Sequence, residues 1–328
     1  MMKKEFKDKV VAVFGASIDE HGFYMDYMRR FISTQSEKCY FVNRSIGGNY
    51  AMLACNMIED EIDTLNPDIV IVHFGGNDVG LYNYNANVPE TEEVLNKRKT
   101  SLDNYFLNMR KLVKLLKDRG LEVYIMTPFS ENENIIEKDN IETVKDNVDK
   151  AKYMKSDFYC KASFRKINTM WREIAIPELY KIAEENSATV IDAFSGTYEQ
   201  MLKTNNMYTE DGIHYSRGGH EVVAKILLKY LGYENIPESF DIKSDLCNII
   251  NQLEQIERHI QFFRRWIFYP IEHKPFADVN TEADVKRKLK ELMQDPKYPF
   301  FAFAEVADYF YDSMPVLREK CVKLIKKI

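Results

Sequence analysis

Ser17, Asp211 and His214 are the side chains whose types and spacing are most suggestive of chemistry. Ser17 stands in Phe14-Gly15-Ala16-Ser17-Ile18, and the other two in Asp211-Gly212-Ile213-His214. A serine hydroxyl attacks an acyl carbonyl when a base takes its proton and N–H donors receive the oxyanion. An imidazole titrates near neutral pH, so His214 suits the base. Asp211, three residues earlier, can hold the imidazole Nδ1–H and stabilise the imidazolium. Two further clusters, Ser45-Ile46-Gly47-Gly48-Asn49 and Gly75-Gly76-Asn77-Asp78, are rich in candidate donors. The backbone N–H groups of Ser17 and Gly48 and the side-chain amide of Asn77 form the expected oxyanion set. Glycine suits a place where backbone approaches substrate without a Cβ between them.

Residues this far apart need a scaffold to gather them. Five short apolar or β-branched runs read as strands buried on both faces: Val10–Gly15, Cys39–Ile46, Ile69–Gly76, Glu122–Pro128 and Ala188–Phe194. Segments of helical periodicity lie between them. The clearest carries Leu102, Tyr105, Phe106, Met109, Val113 and Leu116 on one face and ends at Gly120. Strand–helix alternation implies right-handed crossovers and a helix-covered parallel sheet. Ligands in such sheets bind beyond the carboxyl ends of the strands, where strand order reverses. A flavodoxin-like order 2-1-3-4-5 makes Ser17, Gly48 and Asn77 neighbours. Two long connections, Val79–Thr100 and Phe129–Arg165, also follow strand ends and so could border the same place.

The four clusters, in this order, resemble the four blocks of the SGNH/GDSL hydrolases. Gly15-Ala16-Ser17 stands for the first block, Asn43-Arg44-Ser45-Ile46-Gly47-Gly48 for the second, Gly75-Gly76-Asn77-Asp78 for the third and Asp211-Gly212-Ile213-His214 for the last. The resemblance covers about two thirds of the chain. It implies Ser17 as nucleophile, Asp211 and His214 as its triad partners, and Ser17, Gly48 and Asn77 as the oxyanion hole. In the second block a one-residue shift would exchange Gly47 for Gly48. One departure stands out: Ala16 occupies a position where the family usually has Asp, which leaves the hydrogen bonding around the serine loop to be accounted for.

Each cluster alone has a plainer explanation. Ser17 could cap a helix, Asn77 and Asp78 could form a turn, and the glycine and Asp211 segments could be loops. All four past strand ends, in this order, with the last following the fifth strand by a loop, would then be coincidence. Other histidines carry less: His73 reads as a satisfied core residue, His220 as a packing or capping residue and His21 as a solvated loop residue. His259 and His273 fall in the C-terminal part. The sequence has no G-x-x-x-x-G-K-[ST] or G-x-G-x-x-G pattern for a nucleotide, no G-x-S-x-G elbow and no convincing metal-ligand spacing. No cofactor and no metal are therefore expected.

With 328 residues, 45% hydrophobic and 29% charged, the composition is that of a soluble globular protein, and a net charge of −6 argues against general nucleic-acid binding. No apolar run is long enough for a membrane span. The charged N-terminus lacks a signal-peptide pattern and the five cysteines are scattered, so a cytoplasmic location is expected. Beyond Gly232 a stripe from Leu246 to Phe263 recurs at spacings of three and four, prolines punctuate the rest of the chain, and Thr281 precedes Asp284 as in a capping box. The expected architecture is a three-layer α/β/α flavodoxin-like domain over residues 1–235 and a helical module over 236–328. The module is a candidate surface for a second copy or a partner protein.

The expected activity is hydrolysis of small-acyl carboxylic esters through an acyl-serine, with O-acetyl groups on carbohydrate as first choice. The alternatives are an acyltransferase to a glycan and a non-catalytic binding protein on the same fold.

Overall fold

The computed structural model describes residues 2–133, 158, 160–203, 211–240, 250, 254, 319 and 322–327. Five parallel strands form one sheet: β1 (Val10–Gly15), β2 (Tyr40–Asn43), β3 (Ile69–His73), β4 (Glu122–Met126) and β5 (Thr189–Ile191). Their order is β2-β1-β3-β4-β5. The chain runs from β1 outward to β2, then crosses to β3 on the other side. The reversal therefore opens a crevice above β1 and β3.

The helices are α1 (Ser17–Glu20), α2 (Phe23–Ser33), α3 (Ala51–Leu65), α4 (Gly76–Val79), α5 (Glu92–Asp118), α6 (Lys161–Met170), α7 (Ile176–Glu185), α8 (Ala193–Lys203) and α9 (Arg217–Tyr230). Side chains alternate across the sheet as the two-residue strand period requires. Val10, Ala12, Phe14, Val70 and Val72 pack with α3, α5, α6 and α7. Val11, Val13, Ile69 and Ile71 pack with α2 and α9 on the other face. Burial on both sides explains why the strands read as unbroken apolar runs.

Four of the expected strands are shorter than their apolar runs, with β3 ending at His73 and β4 at Met126. β2 stops at Asn43, whose side-chain Oδ1 accepts the Ser45 N–H at 3.0 Å and turns the chain out of the sheet. β5 stops at Ile191, because Asp192 accepts the Ser195 N–H at 3.0 Å and helps start α8. The Val79–Thr100 connection is shorter than expected, since α5 begins at Glu92, where Thr91 caps it by accepting the Val94 N–H. A π-helical turn at Trp171–Ala175 separates α6 from α7. Pro177, two residues on, has no N–H to continue the regular ladder.

Most of the expected C-terminal module lies outside the described residues, including the Thr281 cap and nearly all of the Leu246–Phe263 stripe. Ile250 and Ile325 are described and are buried in the first of the two cores. Glu254 is buried against the outer strand, accepting the Asn43 N–H at 2.9 Å and Arg29 Nη2–H at 2.7 Å.

Candidate active site

The crevice between β1 and β3 gathers the residues that the sequence singled out. Ser17 is the first residue of α1, immediately past the end of β1. Its Oγ lies 2.8 Å from His214 Nε2. His214 Nδ1 lies 2.7 Å from Asp211 Oδ2. The other oxygen of that carboxylate accepts the Ile213 and His214 N–H groups at 2.9 and 2.7 Å. The D-x-x-H spacing thus closes on itself, one carboxylate fixing both the backbone and the ring of the same turn. Burial opposes the charge on Asp211, but the His214 ring and the two N–H groups outweigh it and hold the carboxyl below its usual pKa.

Two bonds fasten the Asp211–His214 turn to the segment after β4. The Asn132 N–H donates to Gly212 O at 2.8 Å, and the Tyr215 hydroxyl donates to Ser130 O at 2.8 Å. Two more join the second and third blocks. Asn77 Nδ2 donates to Asn49 O at 2.8 Å, and Asp78 Oδ1 accepts the Ala51 N–H at 2.8 Å. Gly75 precedes α4 at φ +147°, and a Cβ there would lie 3.0 Å from the Trp171 ring and 3.2 Å from Pro128. Only glycine fits such close packing in that backbone conformation.

A cavity of about 240 Å³ opens beside these groups. Ser17, Asn77 and His214 line it, together with Phe74, Pro128, Phe129 and Trp171. Neither Gly47 nor Gly48 is among its lining residues. Gly48 sits at φ +67° in the adjoining turn, which is tied to the serine loop where the Ile46 N–H donates to Gly15 O at 3.2 Å. The structure therefore brings Ser17, Asn77, Asp211 and His214 together and leaves the glycine turn beside the cavity wall.

Asp19 meets the hydrogen-bonding need that Ala16 leaves open. It is 1% exposed, accepts the Tyr24 hydroxyl at 2.8 Å and lies 2.8 Å from His73 Nδ1. Its backbone oxygen accepts from Asn43 Nδ2 at 2.8 Å. A Cβ on Gly15 would stand 2.0 Å from its Oδ2, so the first-block glycine makes room for this carboxylate. His73 is the satisfied core residue expected, and it also lines the cavity. His220 packs as expected, fully buried, with its ring stacked on Tyr24 and neither ring nitrogen hydrogen-bonded. His21 is exposed, its ring 6.2 Å from that of His214.

Tyr82 and Glu131, which line the cavity, come from the two long connections expected to border it, whereas sequence reasoning did not single out Glu131 itself and missed Trp171. Glu131 stands five residues past the end of β4, the kind of position that marked the other clusters. Pro177, six residues after Trp171, hinted at an irregular turn. Among the described residues no group of three or more His, Cys, Asp or Glu side chains is placed to hold a metal ion. No helix among them is long and apolar enough to cross a membrane.

Residues 10–222 match the model of the GDSL-like lipase/acylhydrolase family. No curated protein matches the chain in sequence. Among solved structures, an acetylxylan esterase from Geobacillus stearothermophilus is similar at TM-score 0.50 and 22% identity, over 72% of this chain and 100% of that one. A gut microbial diltiazem-metabolizing enzyme is similar at TM-score 0.59 and 15% identity, over 99% of this chain and 97% of that one. At these identities the two likenesses concern the fold.

Proposed function

The chain belongs to the GDSL-like lipase/acylhydrolase family and is a carboxylic ester hydrolase, and from that premise we propose that it cleaves small-acyl esters through an acyl-serine formed on Ser17. The observation that carries this reading is the relay Ser17 Oγ–His214 Nε2–Asp211, at 2.8 and 2.7 Å, on the wall of a cavity.

In the first step Ser17 Oγ attacks the ester carbonyl carbon while its proton passes to His214 Nε2. Asp211 keeps Nδ1 protonated and offsets the imidazolium charge. The Ser17 N–H and the Asn77 amide receive the oxyanion. Asn77 has a second N–H besides the one given to Asn49, so anchoring and oxyanion binding do not compete. The intermediate collapses, and the leaving alcohol takes the proton from Nε2. Water then attacks the acyl-serine, gives a proton to His214, and the acid leaves as that proton returns to Ser17 Oγ.

The substrate class we propose is the acetyl ester of a carbohydrate. The cavity is small, and Tyr82, 63% exposed, adds an aromatic ring to its wall against which a sugar face can stack. A series of p-nitrophenyl esters from acetate to octanoate, run beside acetylated sugars, tests this. Turnover is expected to be highest on acetate and on the sugar acetates and to fall with chain length. Preference for octanoate would overturn the small-acyl assignment.

A further inference from the structure

His73 puts a second imidazole on the wall of the cavity, and the proposed mechanism makes no use of it. It is the last residue of β3 and pairs in register with Gly15, two residues before the nucleophile. The residue is 6% exposed. Nδ1 lies 2.8 and 3.0 Å from the two carboxylate oxygens of Asp19, and the Phe129 ring centre lies 4.4 Å from that of the imidazole. Asp19 is held in turn, since its Oδ1 also accepts the Tyr24 hydroxyl at 2.8 Å.

These contacts decide which ring nitrogen carries the hydrogen. A carboxylate only accepts, so the nitrogen that faces Asp19 is the donor. The neutral ring then keeps a lone pair on Nε2, as His214 does beside Asp211. The two nitrogens of an imidazole diverge, so Nε2 points away from Asp19. It makes no hydrogen bond among the described residues, yet it is not sealed in: unlike both ring nitrogens of His220, it keeps accessible surface. Phe74, Pro128 and Phe129, which line the cavity with it, have no side-chain donor to offer. An acceptor of fixed direction thus stands in a mostly apolar wall, the arrangement by which binding sites orient a polar ligand.

The ester itself says which part such an acceptor reads. A small unsubstituted acyl group carries no O–H, so the donor must belong to the alcohol portion. We propose that His73 is a specificity-determining residue whose Nε2 accepts the O–H of a free hydroxyl on the alcohol portion, so that the enzyme selects partly acylated polyols over fully acylated ones and over aryl esters. The proposal rests on the serine esterase reading above and names what that site prefers.

Three acetyl esters test it: a methyl xyloside with one acetyl group and its other hydroxyls free, the same sugar fully acetylated, and p-nitrophenyl acetate. Only the first has a hydroxyl to give. The native enzyme is compared with His73→Asn and His73→Gln. Asparagine keeps an N–H for Asp19 in the place of Nδ1 but has no atom in the place of Nε2, whereas glutamine reaches that place with an amide oxygen. Active-site concentrations are fixed by fluorophosphonate titration, so partial misfolding does not enter the rates. The readouts are two ratios of kcat/KM per acetyl group, the monoacetylated sugar over each of the other esters. Both are expected to fall roughly tenfold in His73→Asn, mainly through KM, the loss expected for one neutral hydrogen bond. In His73→Gln both should stay within about threefold of native. A role in folding alone lowers all three rates alike, so ratios unchanged in His73→Asn overturn the assignment. A fall of equal size in His73→Gln overturns it too, as does a native enzyme that handles the fully acetylated sugar as well as the monoacetylated one. Those outcomes leave the esterase intact. No turnover of any ester and no labelling overturns the esterase reading, and this inference with it.

Discussion

Replacing Asp211 by Asn changes one atom and separates the carboxylate's two tasks. Oδ1 accepts the Ile213 and His214 N–H groups at 2.9 and 2.7 Å, and an amide oxygen can do the same, so the turn should survive. Oδ2 faces His214 Nδ1 at 2.7 Å, and an amide NH₂ placed there becomes a donor. The ring must then present a bare Nδ1 to it, which puts the ring proton on Nε2, opposite Ser17 Oγ. A protonated Nε2 cannot take the serine proton. The charge is lost as well: unit charges 2.7 Å apart attract by about 6 kcal/mol at an effective dielectric constant of about 20. That is close to the roughly 5.5 kcal/mol of a ten-thousandfold fall in kcat, the size of effect seen when a triad carboxylate becomes an amide. The assay is kcat on p-nitrophenyl acetate, with a thermal melt as the folding control. A melt within a few degrees of native and kcat reduced on the order of ten-thousandfold is the expected pair. A folded variant that keeps kcat within tenfold of native would refute the role assigned to Asp211.

Three other perturbations have worked outcomes. Asn77→Ala should fold and lose about a hundredfold in kcat, roughly 3 kcal/mol of oxyanion stabilisation, and full turnover would remove Asn77 from the mechanism. Burial, with help from the charge of His21, depresses His220 to about 3, so the unfolded chain takes up that proton first. Stability is then full above about pH 6.5 and falls as the pH drops toward 3, costing about 3 kcal/mol at pH 4.5; in His220→Phe the melting temperature should vary less with pH, and identical slopes would contradict this. Glu254→Ala removes the 2.7 Å partner of the 3% exposed Arg29 guanidinium, which keeps Asp26 at 3.2 Å and the Phe41 carbonyl, so it should destabilise the protein by about 1.5 to 3 kcal/mol in urea unfolding; a change below about 0.5 kcal/mol would mean that this tie to the β2 edge contributes little.

The sheet was legible because strands buried on both faces leave uninterrupted apolar runs, and because a parallel order of this kind puts all the strand ends on one rim. The relay was legible for the same reason, since Ser17, Asn77 and the D-x-x-H turn each follow a run or its loop. Strand ends were misjudged at Asn43 and Asp192, where a side chain hydrogen-bonded to the backbone stops the ladder before the apolar run ends. Gly48 was expected in the oxyanion set, as the resemblance also implies, but neither it nor Gly47 lines the cavity, and block spacing does not encode which atoms of the turn face the substrate. Asp19, Glu131 and Trp171 were invisible for a related reason. Their surroundings are made by distant segments: His73 for Asp19, Asn168 and Asp211 for Glu131, Gly75 and Pro128 for Trp171. In sequence an acid near a strand end looks like any solvated acid, and a tryptophan in a helix looks like core.

The most direct test of the central claim is covalent capture of the serine. The protein is incubated with a fluorophosphonate, and the adduct is located by intact mass and peptide mapping. A single adduct on the peptide holding Ser17 is expected, absent in Ser17→Ala and formed far more slowly in His214→Ala. No adduct on the native protein, or one that persists in Ser17→Ala, would contradict an activated hydroxyl at this position.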